Sequence, residues 1–352
     1  MSRRNTALMK AALSALYYTG GHRMLAPFTQ GVGAIFMLHQ VSPMGPDAFN
    51  PNRILKVTPD FLEATVDQVL DAGFDVISLD EVHWRMTEGV FDRPFCAFTF
   101  DDGYRDNFRY AYPIFKKREL PFTIYVPSDF AEGRAELWWL ALEEVVGSVD
   151  RLQLRMEGGN RLFNTRTLEE KDRAYHAIYW WLRGIDEKEA RGIVRELCRG
   201  IAYDPDETAR DLLMNWDDLR AFCHDPIVTI GAHTVSHFAL AKLSPAEAQH
   251  EMEVGARRIE QELGVRPRHF SYPYGSEQTA GEREFRIAKE LGFKTAVTTR
   301  KGLIHGDHSK SLTALPRVSL NGDFQDQRYL SVMLSGAPFA LYNAFSRKRA
   351  AA

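Results

Sequence analysis

The chain of 352 residues carries 44 Lys+Arg against 47 Asp+Glu, a formal net charge of −3 with histidine neutral, and that near balance excludes a polyanion-binding surface spread over the fold. With 45% hydrophobic, 12% aromatic and 26% charged residues, it has the apolar mass for a large core and too much of it to stay disordered. The length alone favours about two domains, although one α/β barrel can use this many residues.

Residues 1–30 read as a basic amphipathic segment, with Arg3, Arg4, Lys10 and Arg23 as its charges and Leu8, Ala12, Leu13 and Leu16 along one face. Arg3-Arg4 ahead of Ala7-Leu8-Met9 has the look of a signal peptide. Lys10 interrupts the apolar run, however, and no small-x-small pattern follows Tyr18, so no cleaved leader is predicted. Gly33 to Leu38 reads as a buried strand ending at His39. Thr58 as N-cap and Pro59 as first helical residue open a helix with Leu62, Val66, Val69 and Leu70 on one face, which Gly73 stops. A strand at Val76–Leu79, a short helix, a strand at Phe95–Phe100, a helix near Tyr110–Lys117 and a strand at Phe122–Val126 follow. This alternation builds a parallel sheet.

The rhythm breaks at 131–224, which reads as a mostly helical insertion. Trp138-Trp139 open a helical stretch, Arg151 to Asn164 reads as a hairpin turning at Gly158-Gly159, and Thr167-x-x-Glu170 is a capping box for a further helix. Alternation then resumes with Ile227–Ile230, a helix launched by Ser244-Pro245-x-Glu247, the strand His269–Ser271, a helix through Ile287 and the strand Phe293–Thr298. Residues 323–352 read as a basic C-terminal helix, with Leu330, Leu334, Phe339, Leu341 and Phe345 ahead of Arg347-Lys348-Arg349. Residues 1–46 and 327–352 each hold four cations and no acid, so the net −3 of the chain leaves −11 for the body between them. No run approaches the ~20 apolar residues of a spanning helix. Cys96, Cys198 and Cys223 form no CxxC pair and are odd in number, which fits reduced thiols in a cytoplasmic setting.

Three clusters stand at strand C-terminal ends, where α/β sheets keep their active sites. In Thr99-Phe100-Asp101-Asp102-Gly103, two adjacent carboxylates repel unless a cation or shared proton compensates, although a helix cap followed by a solvated acid reads the same way. In Gly231-Ala232-His233-Thr234-Val235-Ser236-His237, imidazoles at i and i+4 share one face of a helical turn and can reach one divalent ion. Phe270-Ser271-Tyr272-Pro273-Tyr274-Gly275 is a turn that can present a fixed backbone N–H at a pocket rim.

In this order the clusters resemble the polysaccharide deacetylases, the nodulation-deacetylase homology fold also called carbohydrate esterase family four. The resemblance covers about 31–130 and 225–322, leaving 131–224 as the insertion. It implies a distorted (β/α) barrel of about seven parallel strands, one divalent metal, usually zinc, and removal of acetyl groups from an N-acetylated saccharide such as a chito-oligosaccharide or a GlcNAc-containing polysaccharide. Asp102, His233 and His237 correspond to its metal ligands, Asp101 to its general base and the Tyr274 N–H to its oxyanion donor. A one-carboxylate, two-imidazole site leaves an open position for water, and zinc lowers the pKa of bound water to ~7, so that hydroxide attacks the acetyl carbonyl.

The sequence departs from the commonest family pattern in two places. Phe270-Ser271-Tyr272 stands where an arginine orients the base, and no Leu-x-His near the chain end supplies the acid. Arg317, in Leu315-Pro316-Arg317-Val318-Ser319, is expected to bring the missing guanidinium. His39 is expected to be the acid, with His305 and His308 as rivals; a capped core histidine is the bland reading of His39. Tyr104, Trp138, Tyr272 and Pro273 are assigned to substrate contact. Trp139 adjoins Trp138, and only one of the two can face a pocket. Trp180 and Trp181 are assigned to packing, and His22, His83, His176, His224, His250 and His269 to surface or packing roles. An O-acetyl polysaccharide esterase and a non-catalytic sugar-binding barrel are the alternatives. No nucleic-acid partner is expected; the basic ends fit peripheral contact with an anionic membrane.

Overall fold

The computed structural model describes residues 3–43, 45 and 49–350; of residues 3–4 and 344–350 only the backbone is described. Seven parallel strands form a closed ring: β1 (Gly33–Leu38), β2 (Phe95–Phe100), β3 (Phe122–Val126), β4 (Val228–Ala232), β5 (His269–Ser271), β6 (Thr295–Lys301) and β7 (Leu315–Ser319). Each pairs with its sequence neighbour. The ring closes where β1 meets β2 over Gly33↔Phe95 to Leu38↔Phe100 on one side and β7 through Phe36↔Val318 and Met37↔Ser319 on the other. A short strand, Asp75–Val76, hangs on the outside of β2. The result is a distorted (β/α) barrel with a mostly helical insertion.

The strands are runs such as Phe95-Cys96-Ala97-Phe98-Thr99-Phe100, buried at every position rather than alternately. A barrel strand has core on both faces, so continuous burial is its signature. Capped helices return the chain between strands. Thr58 accepts the Phe61 N–H at 3.2 Å at the head of Pro59–Asp71, and Ser244 with Glu247 closes a capping box on Pro245–Leu263. Because all seven strands are parallel, every strand C-terminus opens on one face.

The insertion has its own core, in which Leu142, Val145 and Val146 of helix Trp138–Ser148 pack against Tyr175, Ile178 and Leu182 of helix Leu168–Leu182 and Val194 of helix Glu187–Gly200. The hairpin Arg151–Met156/Gly159–Asn164 turns through Gly158 and Gly159, whose φ values of 94° and 118° no other residue type adopts freely. At the chain ends, helix Arg3–Tyr18 packs on helix Gln327–Leu334 through Leu13, Phe324, Tyr329 and Val332. The expected single C-terminal helix is in fact two, Gln327–Leu334 and Ala337–Ala350, because Gly336 takes φ +74° between them. There the Thr29 Oγ1 donates to the Ser335 carbonyl at 2.6 Å, tying the two ends of the chain together.

Candidate active site

β2 delivers Asp101 and Asp102 together, and the backbone then separates them. Asp102 sits at φ +76°, a left-handed step that ends the strand and turns the two neighbouring carboxylates apart. Both are 2% exposed. Asp101 meets Arg317, which rises from β7 in the barrel interior. The guanidinium donates from Nη1 to Asp101 Oδ1 at 2.8 Å and from Nη2 to Oδ2 at 2.7 Å. Its remaining donors reach the Thr298 carbonyl from Nε at 2.9 Å, and Thr99 Oγ1 and Ser271 Oγ at 3.1 Å each. The short side chain of Ser271 leaves room for a guanidinium arriving from β7. Burial pushes the Asp101 carboxyl up, but the charge and hydrogen bonds of Arg317 outweigh it and hold the group at about 2.

Asp102 faces the two imidazoles. Its Oδ1 lies 3.5 Å from His233 Nε2 and 3.3 Å from His237 Nε2. His233 follows β4 directly, and its Nδ1 lies 2.6 Å from the Ser271 carbonyl. A carbonyl only accepts, so Nδ1 carries the proton and Nε2 offers a lone pair. The expected helical turn between the histidines is absent. Thr234 and His237 instead take φ of 69° and 58° in a loop, with the His237 N–H on Thr234 Oγ1 at 2.9 Å. Glu251 Oε2 fastens that loop by accepting from Val235 N at 3.1 Å and Ser236 N at 2.8 Å. Of the six non-glycine residues with positive φ among those described, Asp102, Thr234, His237 and Tyr274 belong to this centre. Such strain gathers where surrounding contacts over-determine a functional geometry.

The three side chains fit a divalent cation. Three ligand atoms separated by 3.3–3.5 Å along the two measured edges match a tetrahedron with bonds of about 2.1 Å, whose edges are about 3.4 Å. Asp102 Oδ1 is buried without a hydrogen-bond partner among the described residues, which would be costly unless a cation satisfied it. Burial and the nearby charges of His233, Arg191 and Arg183 hold the His237 imidazole well below the usual histidine range, leaving it neutral as a ligand must be. The set of one carboxylate and two imidazole nitrogens suits a divalent ion of the first transition row.

The polysaccharide deacetylase family profile matches residues 89–151 and 192–296, stretches that carry both aspartates, both histidines and Tyr274. The chain carries a polysaccharide deacetylase domain. It is 22% identical over 310 residues to the deacetylase-family protein YxkH of Bacillus subtilis, covering 88% of this chain and 75% of that one. In fold it resembles the Streptococcus pyogenes deacetylase PplD in complex with acetate, at a TM-score of 0.56 and 19% identity over 85% of this chain and 97% of that one. It also resembles IcaB from Ammonifex degensii, at 0.52 and 16% over 86% and 97%. Residues 152–191 lie between the two matched stretches.

A cavity of about 370 Å³ opens above this centre, and His39, Asp101, Asp102, His233, His237 and Tyr274 all line it. His39 follows β1, with its carbonyl held by Asn107 Nδ2 at 2.8 Å. The rival acids are elsewhere. Ile304 bridges Gly33 at the N-terminal end of β1, so His305 and His308 lie across the barrel from Asp101.

Several expected contacts are corrected. Tyr104, Tyr272 and Pro273 are buried and do not line the cavity: Tyr272 turns outward, packing on Phe270 and Phe285 and donating its hydroxyl to the Thr313 carbonyl at 2.8 Å. Trp138 is buried behind the wall, its Nε1 donating to the Tyr274 hydroxyl at 2.9 Å, while Trp139 faces the cavity with its ring 5.4 Å from that of His237. Trp180 and His176, assigned to packing or surface, also line it. The helical spacing of Tyr175, His176, Tyr179 and Trp180 is the signal that finds these residues. What it lacks is the direction in which that helix faces.

Proposed function

We propose that the protein hydrolyses N-acetyl groups on a saccharide of the chito-oligosaccharide or GlcNAc-polysaccharide class. The observation that carries this reading is the Asp101–Arg317 pair, buried beside the cluster Asp102, His233 and His237. A divalent cation held by that cluster would polarise the acetyl carbonyl and acidify a water near it. Asp101, kept ionised by Arg317, accepts the proton of the attacking water. Arg317 positions the carboxylate and does not touch the substrate. The backbone N–H of Tyr274, in a left-handed turn against His237, donates to the oxyanion as charge develops on it. His39, on the cavity wall opposite β4 and β5 in the ring, returns a proton to the departing amine.

The test is acetate release from chito-oligosaccharides by metal-loaded protein, run beside acetylated xylan, with products followed by mass. Release from the amide substrate and its loss in His39→Ala, with metal retained, is the expected result. Release from the xylan alone would replace the amide reading with ester hydrolysis.

The chain ends support a place at an anionic membrane surface. The helices Gly21–Thr29 and Ala337–Ala350 lie together and leave Phe28 85% and Met24 76% exposed, with Leu341 and Tyr342 also exposed. Residues 1–46 and 327–352 hold eight cations and no acid. Exposed apolar side chains on segments rich in cations suit a headgroup layer. No helix among the described residues is long and apolar enough to cross a membrane.

A further inference from the structure

The cavity does not end at the acetyl-binding centre. Its outer wall is one face of helix Leu168–Leu182, which presents Leu168, Asp172, Tyr175, His176, Tyr179 and Trp180. Leu168 and Trp180 are twelve residues apart, about 18 Å along a helix, much longer than one acetamido group requires. The opposite wall is the segment Asn50–Leu55.

The aromatic rings on this wall are fixed. Tyr179 stacks between Tyr175 at 5.8 Å and Trp138 at 5.1 Å, and the Tyr175 hydroxyl donates to Asn52 Oδ1 at 2.8 Å, bonding the two walls together. Trp180 stands edge-on to Tyr179 and is 64% exposed, although it is among the largest side chains on the surface. A rigid aromatic face loses little entropy when an apolar face of another ring settles on it. Beside the rings, Asn50 Oδ1 is buried without a partner among the described residues and lines the same space, an acceptor awaiting a hydroxyl or amide N–H.

Charge narrows the ligand further. The one Lys or Arg among the described lining residues is Arg53, and Asp323 holds it at 2.9 Å. Asp172 faces the outer cavity, and among the described residues the His176 imidazole, at 3.7 Å, is its ion-pair partner. Such a wall repels acidic rings and accepts neutral or amine-bearing ones.

We propose that helix Leu168–Leu182 is a saccharide-binding strip that holds units flanking the acetylated one, and that it selects neutral or amino sugars over uronic-acid chains. The inference rests on the deacetylase reading for its link to turnover, but the strip lies in the insertion, outside both stretches of the family match.

The experiment compares chito-oligosaccharides from dimer to hexamer, using full-length metal-loaded protein. In the native protein, kcat/KM is expected to climb with chain length. In Trp180→Ala the hexamer-to-dimer ratio of kcat/KM is expected to fall about two- to tenfold through KM, the loss of one ring contact, with metal content unchanged. An unchanged ratio overturns the strip. Calorimetric binding separates this from failure of the deacetylase reading. If no acetate is released from any substrate, weaker binding of chitohexaose by Trp180→Ala still upholds the strip, and equal or absent binding overturns it. Oligogalacturonate is expected to bind more weakly than chitohexaose, with the gap narrowed by Asp172→Asn; equal binding of both by the native protein overturns the charge selection.

Discussion

Arg317 and Asp101 come from opposite parts of the chain, yet they face one another through two parallel hydrogen bonds of 2.8 and 2.7 Å inside the closed barrel. Both are almost wholly buried, and a fork of this kind orients the carboxylate as well as charging it. Removing the guanidinium leaves a buried, unpaired carboxyl. Arg317→Ala is therefore expected to lower stability by about 3–5 kcal/mol in urea titrations and kcat/KM by ~10²–10⁴-fold. The pH profile separates positioning from mere support. Asp101 has its folded pKa depressed, so its contribution to stability is present above the unfolded value of about 3.9 and is lost as the pH falls through about 2. Without Arg317 only the weaker effects of His233 and His39 oppose burial, and the acid limb of activity moves to higher pH. Arg317→Lys keeps the charge but not the fork and is expected to fall between. An acid limb that stays in place in Arg317→Ala would contradict the assignment.

Asp102, His233 and His237 are expected to bind one divalent ion per chain. Each alanine variant should lose it by elemental analysis, and chelation of the native protein should abolish acetate release until zinc is restored. Full metal content in His237→Ala would remove that residue from the site.

Gly255, on helix Pro245–Leu263, packs against the histidine loop, where an added Cβ would stand 2.6 Å from the Thr234 carbonyl carbon and oxygen. Helix propensity favours alanine there by about 1 kcal/mol, while overpacking against backbone costs about 1–3 kcal/mol. The steric term is expected to win: Gly255→Ala should be less stable and should bind metal about 10–100-fold more weakly. A more stable variant with native metal affinity would show that the loop yields freely.

Asp106 carries a carboxyl that burial pushes up to about 7, against hydrogen bonds from the Val41 backbone and the Asn107 side chain. The folded protein holds this proton more tightly than the unfolded chain does. Stability from this group is thus complete below about pH 4 and is lost as the pH rises through about 7. Asp106→Asn has no proton to lose. Its unfolding free energy relative to the native protein, from urea titrations, should rise between pH 5 and pH 8 by an amount on the order of 2 kcal/mol. A difference that does not vary with pH would contradict this.

For the membrane contact, the native protein is expected to sediment with phosphatidylserine-containing vesicles at low salt and to be released as ionic strength rises. Met24→Ser with Phe28→Ser should weaken this, as should replacing Arg347, Lys348 and Arg349 by serine. Point variants are used because helix Gln327–Leu334 is packed through Leu330, Val332 and Leu334, so its removal would disturb the fold. Equal sedimentation with neutral and anionic vesicles would exclude charge as the cause.

The sequence carries the alternation of strand and helix, the place of the insertion and the three motifs at strand ends, because hydrophobic period, capping and turn residues act within a few positions of one another. It also presented the residue types of a cation site. How they meet is set by long-range packing. The reach of Arg317 to Asp101 depends on closure of β7 against β1 and on the small Ser271 beside it, a relation across more than two hundred residues that no local pattern encodes. The histidines approach through two left-handed loop residues, although their spacing reads equally well as a helical turn. Trp138 and Trp139 are adjacent, chemically equivalent and equally buried, and it is the packing of helix Trp138–Ser148 on Tyr179 and Tyr274 that places one ring behind the wall and the other on the cavity. The strip on helix Leu168–Leu182 stayed hidden for the same reason: spacing tells which residues share a face, and only packing tells what that face looks upon.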